Sequence, residues 1–463
     1  MKKNSSQNTL FQAGEALGEL LLEPFNRFAS MQAASGILLL AVTVVALVWA
    51  NSNLAESYEW LKHSHLEIRI SDYSLDKSVH FWINEGLMTI FFFVVGLEIK
   101  REMLVGELAS FKQAALPFTA ALGGMIAPAA IYYLLNAQTP WVKGWGVPMA
   151  TDIAFTMAAF TLLGSRVPHT LKVFFVSLAI VDDLGAVAVI AIFYTSQLAV
   201  GYLFLAGIWL IVLVSFNILG YRRPLSYLLV GLMVWWSLYM SGVHSTVAGI
   251  LVAFTIPARC RHDMMTFSNR LAKIADGLKC AQVSCHNNCP NDDQQNMVRK
   301  LENLCRDVQT PLQRIEYSLH PWVVFLIVPL FALANAGVIL EWVQMSETLT
   351  TTLSLGITIG LFVGKQLGIF IATWIAVRAG FAVMPAGVSF GQIYGSAILG
   401  GVGFTMSIFI ADLAFGESPE LDASKISILL ASLISFIVGF LVLYVTSQSK
   451  TNGEGDEPEI VQT

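Results

Sequence analysis

The chain has 463 residues, of which 55% are hydrophobic and only 13% charged, and its formal net charge is −5. A soluble protein of this length carries more charge, and the apolar residues stand in runs rather than periodic stripes. We therefore interpret the chain as a polytopic membrane protein surrounded by membrane lipid. The small net charge argues against nucleic acid as a partner. The N-terminus lacks a short apolar core followed by a small-residue cleavage site, so no removable signal peptide is predicted.

Apolar runs long enough to cross a bilayer recur along the chain and predict an all-α fold with about twelve transmembrane helices. The runs lie near residues 33–51, 80–99, 113–135, 147–163, 171–194, 200–219, 224–241, 244–257, 321–340, 351–377, 391–414 and 425–446. They define a transmembrane domain over 31–447, interrupted by a polar cytoplasmic insertion over 257–310. An amphipathic segment over 1–30 precedes this domain, and a polar tail over 448–463 follows it.

Lysine and arginine cluster in alternate loops, and this positive-inside bias places both termini in the cytoplasm. The loop over 52–79 then lies on the extracytoplasmic side. Polar and apolar residues alternate over 65–71 of this loop, which predicts one strand of a small β-hairpin. A hairpin of this size has little to pack against alone, so we expect a second copy of the chain as its partner, in a homodimer.

Two adjacent carboxylates, Asp182 and Asp183, stand at the centre of the fifth apolar run. A charged side chain at the bilayer centre costs about 2.5–3.5 kcal/mol on insertion scales, so such residues mark ion or proton paths by default. The alternative is a structural pair neutralised by a basic partner. Lys365 is an available partner because apolar residues continue on both sides of it. The alternative for Lys365 is a lysine that snorkels to the membrane surface.

Two runs carry residues that interrupt a helix inside the bilayer. The fourth has Pro148 followed by Thr151 and Asp152, and the eleventh has three glycines within 400–403 followed by two hydroxyl residues. Backbone groups freed by a break are tolerated only where they line a cavity. Paired breaks in the two halves of a chain indicate a mid-membrane transport site. Glycines that merely pack helices together are the alternative.

Charged residues also gather at the predicted cytoplasmic ends of two spans. They are Glu98, Lys100, Arg101 and Glu102 at the end of the second run, and Glu316 before the ninth. Such clusters either anchor helices in water or form a funnel that collects cations and responds to pH, because coupled carboxylates titrate over a wide range. His244 is a further candidate for a pH response, although a lone histidine is more often a hydrogen-bonded structural residue.

All five cysteines fall in one hydrophilic part of the chain. They are Cys260, Cys280, Cys285, Cys289 and Cys305. Cytosolic thiols stay reduced, so disulfides are not expected there. Cys280, Cys285, His286 and Cys289 supply the ligands of a weak zinc site, but their spacing matches no standard zinc motif. Free thiols in a variable insertion are the alternative. No other cofactor is predicted.

Several motifs resemble those of the bacterial NhaA-type Na⁺/H⁺ antiporters, in the same order and with nearly the same spacing. They are VGLEIKRE at 95–102, ATDIAF at 150–155, LGSRVP at 163–168, AIVDDLGA at 179–186, LHPW at 319–322, NAGV at 335–338 and GFTMSIFI at 403–410. The resemblance covers about residues 26–256 and 311–446. It implies twelve helices with inverted-topology repeats, in the bacterial inner membrane, with helices 4 and 11 broken and crossing near the bilayer centre.

The resemblance further implies electrogenic exchange of cytoplasmic Na⁺ or Li⁺ for external H⁺, rising at alkaline pH, for sodium and pH homeostasis. Asp183 looks like the principal cation-binding carboxylate, and Asp182 like its partner, which in this family can pair with the residue matching Lys365. Asp152 and Thr151 resemble the residues beside the helix break, and Lys365 resembles the lysine that balances the facing helix ends. Glu98 and Glu316 look like members of the family's pH-responsive cytoplasmic cluster, with Lys100, Arg101 and Glu102 nearby. The loop over 52–79 resembles the family's dimer-forming hairpin.

Three features depart from the family pattern: the insertion, the added terminal segments, and Glu85, which stands where an aspartate is familiar. Two other classes of membrane protein were compared with the chain. An intramembrane aspartyl protease holds its two carboxylates on facing helices, and a cation channel repeats a filter around a symmetry axis. The chain matches neither pattern, so we predict a secondary transporter and not an enzyme.

Overall fold

A computed structural model describes residues 32–70, 73–195, 198–259, 309–340 and 342–447, with short pieces at 268–271, 274, 295–296, 298–301 and 304. The predicted amphipathic segment over 1–30, all five cysteines and the polar tail over 448–463 lie outside the described residues. Within the described residues, the regular secondary structure is helical apart from one two-stranded sheet. The predicted class, an all-α polytopic membrane protein, is confirmed.

The helices are numbered here in chain order. They are α1 Gln32–Ala50, α2 Ala55–His63, α3 Val79–Leu104, α4 Phe111–Asn136, α5 Ile153–Leu163, α6 His169–Phe193, α7 Val200–Ile218, α8 Pro224–Ser241, α9 Val247–Thr255, α10 Pro311–Asn335, α11 Trp342–Thr350, α12 Thr352–Arg378, α13 Phe390–Leu399, α14 Phe404–Phe415 and α15 Pro419–Thr446. A 3₁₀ segment, Pro140–Met149, precedes α5. Strands β1 His65–Ile70 and β2 Tyr73–Ser78 pair antiparallel, with His65 opposite Ser78.

The predicted count of twelve membrane spans stays a prediction. In the described residues, nine helical stretches are long and apolar enough to cross a membrane, and up to eleven if each of two bent helix pairs counts as one span. The bent pairs are α1 with α2 and α13 with α14. The predicted span over 244–257 forms α9, which has only nine residues. Helix α9 is therefore too short to be counted as a membrane span by length and composition.

Helix α10 begins ten residues before the predicted start of the ninth span near residue 321. Helix α10 begins at Pro311, where Thr310 and Gln313 form a capping box that satisfies the free N–H groups of the first turn. The first turns carry Arg314 and Glu316, and a search for apolar runs excludes charged turns of this kind.

The described residues divide into two compact units. The first contains α1, α4, α5, most of α6 and α11 to α15. Helix α12 packs along α4 so closely that a Cβ atom on Gly368 would lie 2.1 Å from the carbonyl oxygen of Gly123. A Cβ atom on Gly364 would likewise lie 2.7 Å from the Cα of Pro128. The absence of side chains at these glycines therefore lets the two backbones touch, and this contact fixes the position of the neighbouring Lys365.

The second unit contains α2, the two strands, α3, the end of α6, and α7 to α10. Helices α3 and α9 pack at Gly249, where a Cβ atom would lie 2.3 Å from the carbonyl oxygen of Thr89. The core around this contact is apolar and buried, with Leu97, Leu213 and Val252 among its members. A π-helical turn interrupts α3 at Trp82–Leu87, α10 at Val323–Ile327 and, in the first unit, α12 at Gly360–Gly364. Turns of this kind are frequent at functional sites.

Candidate functional site

Two interrupted helical segments of the first unit are hydrogen-bonded to each other. One is the extended stretch between the 3₁₀ segment and α5, and the other is the break between α13 and α14, which are bent by 46°. The backbone N–H of Asp152 donates to the carbonyl oxygen of Val402 at 2.7 Å. The hydroxyl of Thr151 donates to the carbonyl oxygen of Gly400 at 3.0 Å. Backbone groups that a regular helix would pair internally are thus partly satisfied across the two breaks.

The carboxylate of Asp152 caps two helices at once. Its Oδ1 accepts the backbone N–H of Phe155 at 3.2 Å, in the first turn of α5. Its Oδ2 accepts the backbone N–H of Thr405 at 3.2 Å and the hydroxyl of the same residue at 2.5 Å, in the first turn of α14. Because helix N-termini carry a partial positive charge, one carboxylate stabilises both. Thr405 is a site residue that was not predicted from the sequence, although its place directly after the glycine break was a visible signal.

Lys365 and the two adjacent aspartates are removed from solvent. Their exposed fractions are 0% for Lys365, 1% for Asp182 and 2% for Asp183. The ammonium of Lys365 lies 2.7 Å from Oδ2 of Asp182 and also donates to the carbonyl oxygen of Met149, the last residue of the 3₁₀ segment. Lys365 is therefore part of a buried ion pair and does not snorkel. The cation balances the carboxylate and the negative end of a helical segment together.

This arrangement places every predicted cation-site residue in one unit. Asp182 and Asp183 lie on α6, Asp152 and Thr151 precede α5, and Lys365 lies on α12. The site offers carboxylate, hydroxyl and backbone carbonyl oxygens, which are the ligands that hard cations prefer. Asp182 and Asp183 are neighbours on a single helix, which differs from the facing helices that an aspartyl protease requires.

The predicted pH-responsive residues lie in the second unit, where four of them and one further residue form what we call the Arg101 cluster. Arg101 is hydrogen-bonded to Glu316 and lies 3.1 Å from Oε1 of Glu102. Nδ1 of His320 lies 3.4 Å from Oε1 of Glu98. His320 was not among the residues predicted from the sequence. It follows Glu316 by four residues on α10, so the two side chains share one helix face.

Two other candidates do not join the Arg101 cluster. Lys100 donates to two backbone carbonyl groups at the end of α9, at 2.6 and 2.5 Å. Nδ1 of His244 lies 3.6 Å from Oε1 of Glu85, and the hydroxyl of Ser245 donates to the other oxygen of Glu85 at 2.5 Å. Glu85 precedes Glu98 on α3 by a rise of about 20 Å, so His244 lies far from the cluster along this helix.

The predicted zinc site stays a prediction. In those parts of the chain that the structure describes, no group of three or more His, Cys, Asp or Glu side chains could hold a metal ion. Cys280, Cys285, His286 and Cys289 lie outside these parts.

Comparison with known proteins decides the family. The model of the family described as Na⁺/H⁺ antiporter 1 matches residues 26–443, which is nearly the whole chain. The chain belongs to this family. Members of the Na⁺/H⁺ antiporter 1 family are secondary transporters and not enzymes. The family resemblance predicted from the motifs is thus confirmed.

Individual relatives in the family are similar over almost their full length. The Na⁺/H⁺ antiporter NhaA of Oleidesulfovibrio alaskensis is 48% identical over 450 residues, covering 95% of this chain and 96% of the relative. NhaA 1 of Saccharophagus degradans is 45% identical, covering 93% of each chain. NhaA of Koribacter versatilis is 45% identical, covering 94% of each.

Proposed function

We propose that this chain is an electrogenic antiporter that exports cytoplasmic Na⁺ or Li⁺ in exchange for external H⁺. It acts in the bacterial inner membrane, with both termini in the cytoplasm, and it needs no cofactor besides the transported ions. The observation that carries the proposal is the buried pair of Lys365 and Asp182 beside Asp183, next to two interrupted helices. Membership in the antiporter family supports the same reading.

The exchange follows from competition for one set of oxygens. Burial penalises a charged carboxylate, so Asp182 and Asp183 favour a state in which a proton or a cation neutralises them. Na⁺ and H⁺ therefore displace each other at the same atoms. Because Lys365 already offsets one carboxylate, a bound Na⁺ has to compete with the ammonium as well as with protons. Binding of Na⁺ is thus expected to separate Lys365 from Asp182.

Coupling arises because only an occupied site can change the side of the membrane to which it opens. An empty site with two buried carboxylates carries a charge that is costly to move through a low-dielectric environment. A site that holds Na⁺ or protons carries less uncompensated charge. Alternating access of the loaded site then gives exchange without a hydrolysed fuel. The proposed electrogenic exchange requires that unequal numbers of charges cross in the two directions.

Regulation by pH is assigned to the Arg101 cluster. The described cluster holds three carboxylates, one guanidinium and one imidazole, joined by ion pairs. Loss of protons from the cluster at alkaline pH changes the contacts between α3 and α10, on which its members lie. His244 with Glu85 forms a separate titratable pair on the same unit.

The test uses everted membrane vesicles that report proton movement when Na⁺, Li⁺ or K⁺ is added. We expect Na⁺ and Li⁺, but not K⁺, to release protons from wild-type vesicles. We expect Asp183→Asn to abolish the response, because the variant cannot neutralise a cation. Asp422→Asn is the matched control, since Asp422 is an exposed aspartate of the same unit, on α15. Retained exchange at normal affinity in Asp183→Asn would remove Asp183 from the binding role.

We further propose that the hairpin β1–β2 mediates a homodimer. Both strands keep one edge without a strand partner in the described sheet, and such an edge can pair with a second copy. Replacing residues 66–77 by a short Gly-Ser linker should convert the detergent-purified dimer into a monomer in light scattering. A dimer that survives this replacement would contradict the proposal.

A further inference from the structure

Thr405 makes two contacts with one oxygen of Asp152. Its hydroxyl donates to Oδ2 of Asp152 at 2.5 Å, and its backbone N–H donates to the same oxygen at 3.2 Å. Both residues are buried, with exposed fractions of 6% for Thr405 and 2% for Asp152. Hydrogen bonds that end on an ionised group are stronger than neutral ones. The hydroxyl is therefore a major partner of this carboxylate.

The backbone on both sides of this contact is held independently of the hydroxyl. The N–H of Asp152 is bonded to Val402, and the hydroxyl of Thr151 is bonded to Gly400. The hydroxyl of Thr156 also donates to the carbonyl oxygen of Asp152 at 2.9 Å. Loss of the Thr405 hydroxyl therefore leaves the backbone of Asp152 in place. Loss of the hydroxyl changes the orientation of the Asp152 carboxylate, which then keeps only backbone N–H donors, among them those of Phe155 and Thr405.

We propose that Thr405 is a positioning residue for cation exchange. Its hydroxyl fixes the carboxylate of Asp152 between the first turns of α5 and α14. In this position the negative charge of Asp152 is constant while Asp182 and Asp183 exchange Na⁺ and H⁺. This inference rests on the proposed function. It assigns to Thr405 an effect on cation affinity that acts through Asp152, without contact between Thr405 and the ion.

The experiment compares two conservative substitutions of Thr405. Thr405→Val keeps the shape of the side chain and removes the hydroxyl, whereas Thr405→Ser keeps the hydroxyl and removes a methyl group. In everted vesicles, we expect Thr405→Val to raise the apparent KM for Na⁺ about tenfold while the maximal rate stays within about twofold. Thr405→Ser should restore the wild-type KM to within about twofold.

Thr373→Val is the matched control. Thr373 is fully buried in the same unit, and its hydroxyl donates only to the backbone of its own helix, at the carbonyl of Ile369. We expect its KM to equal that of the wild type. If Thr405→Val has the wild-type KM, or if Thr405→Ser is as impaired as Thr405→Val, Thr405 is not a positioning residue.

A double-mutant cycle on purified protein separates this inference from the proposed function. Thr405→Val should lower the melting temperature in the wild-type background and have almost no effect in the Asp152→Ala background, where the acceptor is missing. Equal losses in both backgrounds would overturn the inference. If wild-type vesicles show no Na⁺-dependent proton movement, the proposed function fails, and the melting cycle still decides whether Thr405 acts through Asp152.

Discussion

The ammonium of Lys365 and the carboxylate of Asp182 lie 2.7 Å apart, and both side chains are fully removed from solvent. The pair joins α12 to α6, two helices that are 183 residues apart in the sequence at this point. Replacing a buried ion pair with well-packed apolar side chains is often neutral or stabilising, so the pair indicates a requirement of function more than one of stability. A cation that binds to Asp182 has to compete with this ammonium for the carboxylate.

Removal of Lys365 should be costly because it leaves Asp182 buried without its cation. We expect Lys365→Ala to lower the free energy of unfolding by about 3–5 kcal/mol. The double variant with Asp182→Ala should regain a large part of this loss. Thermal unfolding of the detergent-purified proteins measures both effects. Strictly additive losses would show that the two side chains are not coupled.

A side chain at Gly368 should disrupt the packing of α12 on α4. A Cβ atom there would lie 2.1 Å from a backbone oxygen of Gly123, so one helix has to shift. We expect Gly368→Ala to lower the free energy of unfolding by about 1–3 kcal/mol. Transport should also be reduced, because Lys365 lies on α12 and moves with it. Gly201→Ala on α7 is the control, because no atom lies within 4 Å of its Cβ position. A Gly368→Ala protein with the same melting temperature as the Gly201→Ala control would refute the close contact.

Neutralising Glu316 should change the pH response of transport. Glu316→Gln removes one negative charge beside Arg101 and near Glu98 and His320, so the remaining protons of the cluster leave more easily. We expect the midpoint of the activity–pH profile to move to lower pH by about one unit, with the maximal rate preserved. Glu56→Gln, at an exposed glutamate of the same unit, should leave the profile unchanged. An unaltered midpoint in Glu316→Gln would place the pH response elsewhere.

The cysteines of the insertion should behave as free thiols. Their spacing fits no standard zinc motif, and the proposed cytoplasmic location of this segment would keep them reduced. We expect full-length protein purified without chelators to contain no stoichiometric zinc by elemental analysis, and Cys285→Ser to transport normally. One zinc per chain that disappears in Cys285→Ser would establish the metal site instead.

The sequence predicted the residues of the candidate site better than their connections. Asp152 and Lys365 stand out because charge inside an apolar run is expensive. The family resemblance implies the pairing of Asp182 with Lys365. The charge pattern alone does not choose between Asp182 and Asp183, which are rotated by about 100° from each other on α6. The hydrogen bonds of Thr405 depend on where α14 begins relative to Asp152, which is a property of packing between distant segments.

The span boundaries show a related limit. Most apolar runs coincide with helices because hydrophobicity marks the part of a helix that crosses lipid. Helix α10 begins ten residues before its apolar run, since the start of a helix is set by capping groups and not by hydropathy. The π-helical turns leave no recognisable mark in the sequence either, because they need only one extra residue in a helix that is otherwise regular.

The glycine contact between α4 and α12 has a practical consequence for spectroscopy of the working transporter. With backbones touching at Gly123 and Gly368, these two helices have no room to slide past each other. Pairs of spin labels or fluorophores on their outer faces should report one constant separation throughout the transport cycle. They would serve as an internal ruler against which the displacement of any other helix can be calibrated.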